Sequence, residues 1–216
     1  MATMQKKSAK APGSRGRPRN AGATREAILR AALIAFSRYG YDGAGVREIA
    51  RDAGVTAMLV NRYFGSKEAL FSAAVEVIFR EARLLNGNVE TLSREVSRGL
   101  VRETPIAENA TDPLLLTLKS AANPKAATIL RTSIGRRFQD PLATSLLGPQ
   151  AAERAAICLG LIAGFQFMHR VIGLPALTGT NSERLARRLE SLFQLLISPT
   201  ESKQTAERTR SVKLKA

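Results

Sequence analysis

The nineteen residues at 46–64, VREIARDAGVTAMLVNRYF, constrain the fold more tightly than any other part of the chain. Ala50 is small where two helices would cross closely. Gly54, four residues on, can take the left-handed backbone of a tight turn, and Val60, six further, supplies an apolar plug from a second helix. This is the spacing of a helix-turn-helix. An ordinary helical hairpin with a solvated polar face is the alternative, but it leaves unexplained why the spacing coincides with a helix cap at Thr56 and with a basic chain.

At about 100° per residue from Thr56, Leu59, Val60, Tyr63 and Phe64 fall in one apolar arc. Ala57, Met58, Asn61 and Arg62 fall opposite, and that arc is the expected reading face for duplex DNA. Thr56 at the helix start would cap it and sit where a phosphate is favoured.

The net charge of +15 is concentrated at the ends. Residues 1–23 carry six cations and no acid, and residues 201–216 carry five cations against two acids. Such ends are solvated tails in most chains, but beside a DNA-reading unit they are candidate phosphate-binding arms. Within the first, Arg15-Gly16-Arg17-Pro18 has the form of a minor-groove hook, in which Arg15 and Arg17 would enter a narrow A·T groove. A single Cys158 forms no internal bridge and sits in an apolar helical stretch, as a structural thiol would. With no secretory signal and no apolar run near eighteen residues, the chain reads as soluble and cytoplasmic, without a membrane partner.

Periodicity predicts helices throughout. The first should run from a cap at Thr24 to Gly40, with Ile28, Ala31, Ala32, Ala35 and Tyr39 on its inner stripe. Residues 41–45 form a loop before a short helix at 46–53. Ser66 caps a fourth helix carrying Leu70, Phe71, Ala74, Val75 and Ile78, and Lys67 in its first turn is placed to meet a phosphate. Further helices are expected near 89–103, 112–122, 124–139, 150–172 and 182–197, the last opened by a capping box from Thr180 to Glu183. The fold class is therefore all-α: a basic arm (1–23), a three-helix DNA-binding domain (24–70), a helical bundle (71–199) and a basic tail (200–216). The helices near 150–172 and 182–197 are apolar enough to pair with their copies, and two reading helices about one DNA turn apart would require a two-fold site.

No enzyme signature is present. The sequence has no paired-cysteine metal spacing, no Gly-rich phosphate loop leading into a helix, and one histidine. That residue, His169, with Phe165, Gln166 and Met168, is either ordinary core or part of a ligand pocket, and the core reading is the simpler.

The tracts Gly40-Tyr41-Asp42, VREIARDAGV and RYFGSKEAL, within residues 24–76, resemble the N-terminal signature of TetR-family transcriptional regulators. The resemblance implies a homodimeric, all-helical repressor on a palindromic operator, released by a small-molecule effector bound in a divergent C-terminal domain, with no cofactor. Its DNA contacts would fall on Thr56, Ala57, Met58, Asn61, Arg62, Tyr63 and Lys67. In that setting Arg62 would bond guanine, Asn61 would read adenine, and Ala57 and Met58 would touch thymine methyls, while Tyr63 and Lys67 would contact the backbone. The chain departs from the common pattern where Ala57-Met58-Leu59-Val60-Asn61 replaces Lys-Gly-Thr-Leu-Tyr, so the operator does not transfer. Residues 154–177 resemble one C-terminal subtype. The rival reading is an architectural protein that binds DNA without sequence preference.

Overall fold

Helix α1 (Ala21–Gly43) starts three residues before the expected cap, because Ala21-Gly22-Ala23 continue the helix and Thr24 is buried inside it. The computed structural model describes residues 21–82, 89–102, 106, 111–179 and 181–198. The basic arm with Arg15 and Arg17, and the basic tail, lie outside them. Ile28, Ala32, Ala35 and Phe36 form the buried face of α1, while Tyr39, expected on it, is exposed. At Gly40 the backbone leaves the helix (φ 70°) and one more helical turn follows, so most of the expected 41–45 loop is helical.

The next helices are short and locally determined. Helix α2 (Val46–Asp52) follows Gly45, α3 (Ala57–Phe64) follows Thr56, and α4 (Lys67–Glu81) follows Ser66. The Thr56 hydroxyl accepts from the Leu59 amide at 3.3 Å, and the Ser66 hydroxyl from the Ala69 amide at 3.1 Å, satisfying donors that a helix start leaves orphaned.

The rest is also helical: α5 (Val89–Arg102), α6 (Pro113–Ser120), α7 (Pro124–Ile134), α8 (Asp140–Ser145), α9 (Ala151–Gln166), α10 (Pro175–Thr178) and α11 (Ser182–Ile197). The helix expected over 124–139 is not regular throughout. It widens into a π-turn at Gly135–Gln139 ahead of Pro141, whose ring would press on the Arg137 carbonyl in a regular helix. A second π-turn, Phe167–Ile172, extends α9 and ends at Gly173 (φ 69°). The last helix has Asn181 at its cap position with no side-chain cap bond, one residue later than a Thr180 capping box requires; Thr180 itself is outside the described residues.

Two apolar cores result. One joins α1–α4 to Leu116 of α6, Ala126 and Leu130 of α7, and Phe138. The other joins Leu92, Val96 and Leu100 of α5 to Leu142, Ala155, Cys158, Ile162, Leu189 and Phe193. The DNA-binding unit thus shares its interior with α6 and α7, across the boundary expected at residue 70. Burial pushes the Cys158 thiol up to about 11, which keeps it protonated and unreactive.

Taken with its π-turn, α9 corrects the expectation of no long apolar run, since residues Ala151–Ile172 form one helix of 22 residues with membrane-span hydropathy. Two of its arginines are bound within the protein, Arg170 to Asp112 and Arg154 to backbone carbonyls. Buried Arg154 donates to the carbonyls of Leu196, Ile197 and Ser198, closing the C-terminal end of α11. Only a third of its apolar window is buried within one chain.

Candidate nucleic-acid interface

The turn is built as its spacing demands. Gly54 takes φ 67°, Ala50 and Val60 are each 2 % exposed, and the Val55 amide donates to the Ala50 carbonyl at 2.9 Å. With Val60 fixed inward, helical geometry turns Met58, Asn61 and Arg62 outward, and all three are exposed. Met58 is 82 % exposed.

Three residues assigned to the interface sit differently. Ala57 is half-buried against the core of the DNA-binding unit, so its place on the exposed arc is corrected: α3 begins pressed on that core, and a methyl on its first turn is drawn into it. Tyr63 is likewise half-buried against the same core. Lys67 does not project freely: its ammonium lies 4.7 Å from the Tyr41 ring centroid and donates to the Asp42 carbonyl at 3.4 Å. It therefore ties α4 to the end of α1.

Side chains distant in sequence complete the support. Arg25 of α1 lies over the Phe64 ring at 5.0 Å, at the end of the reading helix, which no local pattern announces. Glu68 accepts from Lys125 of α7 at 2.7 Å, and that bond holds the Glu68 carboxyl down at about 2, while the same pair raises Lys125. Asn123 donates to the Asp42 carboxylate at 2.8 Å, and Ser120 accepts from the Tyr41 amide at 3.0 Å. Burial, and then the Glu68 carboxylate beside it, push the Tyr41 phenol up. Together these bonds fix the DNA-binding unit against α6 and α7.

Of the four residues set apart for a ligand, Phe165 and His169 meet, while Met168 is turned toward solvent. Gln166 and His169 are buried, Phe165 is half-buried, and Met168 is 42 % exposed. His169 stacks on Phe165 at 5.4 Å, but its Nδ1 has no hydrogen-bond partner, so the imidazole is buried without being fully satisfied. Among the described residues no cluster of His, Cys, Asp and Glu could hold a metal.

Residues 28–74 match the pattern of bacterial regulatory proteins of the tetR family, and residues 90–197 match the tetracyclin repressor-like C-terminal domain. The HTH-type transcriptional regulator RutR of Escherichia coli K12 is 44 % identical over 62 residues, which are 29 % of each chain. The chain thus matches under a third of the length of that curated relative. A TetR-family regulator from Streptomyces coelicolor A3 is 25 % identical, with a TM-score of 0.51 over 88 % of this chain and 99 % of the other. The multidrug binding protein EbrR, solved with ethidium, shares the fold at 18 % identity, with a TM-score of 0.58 over 81 % of this chain and 98 % of the other.

Proposed function

Because this chain belongs to the TetR family of bacterial regulatory proteins, we propose that it is a homodimeric repressor that binds a palindromic operator and leaves it when a small molecule binds. The observation that carries this reading is the capped helix α3, which holds Met58, Asn61 and Arg62 clear of the core in one arc. Arg62 bonds guanine, Asn61 reads adenine, and Met58 packs on a thymine methyl. Thr56 and the α3 amides meet phosphate, and Lys67 contacts the backbone by exchanging the Asp42 carbonyl for a phosphate. Arg15 and Arg17 extend the contact into the adjacent minor groove.

Dimerisation is supported by the apolar side chains that α9 and α11 leave uncovered, among them Ile157, Met168, Leu192 and Leu195. A small-molecule effector is supported by likeness to the ethidium-bound EbrR fold. Its signal has a physical route: Asp112 at the start of α6 pairs with Arg170, and the other end of α6 abuts Gly40 and Tyr41. The effector must bind one arrangement of these parts more tightly than the other.

Selection of bound duplexes from a random pool at defined salt tests the reading. A palindrome with half-sites about one turn apart is expected. Comparable affinity for all sequences would instead establish the architectural role.

A further inference from the structure

The acids of α11 are turned away from its arginines. Glu183 pairs with Arg98 at 3.5 Å and Glu190 with Arg94 at 3.3 Å, both toward α5. Arg184 and Arg188, one turn apart, form no ion pair among the described residues, and like charges at this spacing repel. Both line a cavity of about 290 Å³ between α10 and α11. The cleft is open to solvent; Gly179 and Asn181 add polar wall, and Pro175, Ala176, Leu177 and Leu185 give it an apolar side. A cavity among the described residues of the second core, lined by Leu92, Cys158, Ile162 and Phe193, is about 10 Å³, too small for an organic ligand.

We propose that the cleft between α10 and α11 binds a small organic anion, with its carboxylate or phosphate held by Arg184 and Arg188 and its apolar body against Pro175, Leu177 and Leu185. Two guanidiniums with no acid of their own supply the charge and directed donors that an oxyanion needs. The apolar side gives a carbon skeleton an advantage over an inorganic ion, and the volume suits a single-ring compound. The site lies apart from Phe165, Gln166, Met168 and His169, and it stands whether or not its occupancy releases DNA.

Calorimetric titration of the full chain with benzoate, benzamide and inorganic phosphate, without DNA, tests it. One benzoate per chain should bind saturably, with benzamide and phosphate each about tenfold weaker. Arg184→Gln/Arg188→Gln should weaken benzoate by about tenfold or more, and Ala176→Phe, which fills the cleft and keeps both arginines, should weaken it similarly. The proposal is overturned if benzoate does not saturate, if phosphate binds as tightly as benzoate, or if either variant binds like the original. It is also overturned if the double arginine variant changes only the oligomeric state, since the arginines would then be meeting an acid of a second copy. A mobility shift with and without benzoate reads DNA release separately, so loss of one result leaves the other standing.

Discussion

Arg170 Nη2 lies 2.8 Å from Asp112 Oδ2, with the two side chains 15 % and 7 % exposed. The other Asp112 oxygen accepts from the Leu114 and Leu115 amides at 2.8 and 3.2 Å, so one carboxylate both caps α6 and binds it to the π-turn after α9. Arg170→Leu leaves that carboxylate buried beside a neutral chain. It should cost about 3 kcal/mol in urea unfolding, and a loss below about 1 kcal/mol would mean that water or another cation replaces the guanidinium.

Gly40 carries the opposite end of α6. Its φ is 70°, and a Cβ there would meet the Lys119 carbonyl oxygen closer than packed atoms approach. Gly40→Ala therefore combines an unfavourable backbone with a clash against α6 and should destabilise the chain by more than about 2 kcal/mol. Gly99, in contrast, has open space around its Cβ position. Gly99→Ala, inside α5, should be neutral or slightly stabilising in the same denaturation series.

These relationships separate what the sequence discloses from what it hides. The turn at Gly54, the caps at Thr56 and Ser66, and the span of α11 were legible because each depends on a few neighbouring residues. The reading face was legible in outline, since an inward Val60 fixes the rotation of α3. The half-burial of Ala57 and the intramolecular partners of Lys67 were not legible, because they come from the packed core of the DNA-binding unit and from the Tyr41 ring at the end of α1. The Gly40 and Lys119 contact, and the pairing of Asp112 with Arg170, are tertiary events across 79 and 58 residues of sequence; periodicity within one helix carries no trace of them.

The Glu68 and Lys125 bond makes a prediction for acid. Glu68 has an ordinary value of 4.5 and is held at about 2 in the folded chain, so the folded state prefers its ionised form. Its contribution is complete above pH 4.5 and is lost as pH falls through about 2. Because the pair is exposed, the effect is screened by salt. Glu68→Gln should flatten the low-pH decline of the thermal midpoint, most clearly at low ionic strength, and identical pH profiles would show that the bond does not form in solution.

Specificity and general affinity should respond to different residues. Arg62→Ala should reduce discrimination at one base position by about 1–3 kcal/mol, whereas Lys67→Ala should weaken binding to all duplexes alike. Removing residues before Ala23 should reduce the salt slope, because phosphate-neutralising cations are lost. Footprints and salt slopes unchanged by all three alterations would displace the interface from α3.

The uncovered faces of α9 and α11 give the last prediction. Leu195 is 75 % exposed, Ile157 48 % and Leu192 47 %, an arrangement costly in water unless another surface covers it. A two-fold contact places each patch against its own copy, so one substitution introduces two charges into the interface. Leu195→Glu should therefore weaken association by about 2 kcal/mol or more while leaving the monomer folded, because this side chain lies outside both cores. Light scattering at micromolar concentration should show the original chain as a dimer and the variant shifted toward monomer. A palindromic duplex should then lose more affinity than an isolated half-site, since only the palindrome uses both reading helices at once. A monomeric original chain, or equal losses on both duplexes, would remove α9 and α11 as the dimer surface.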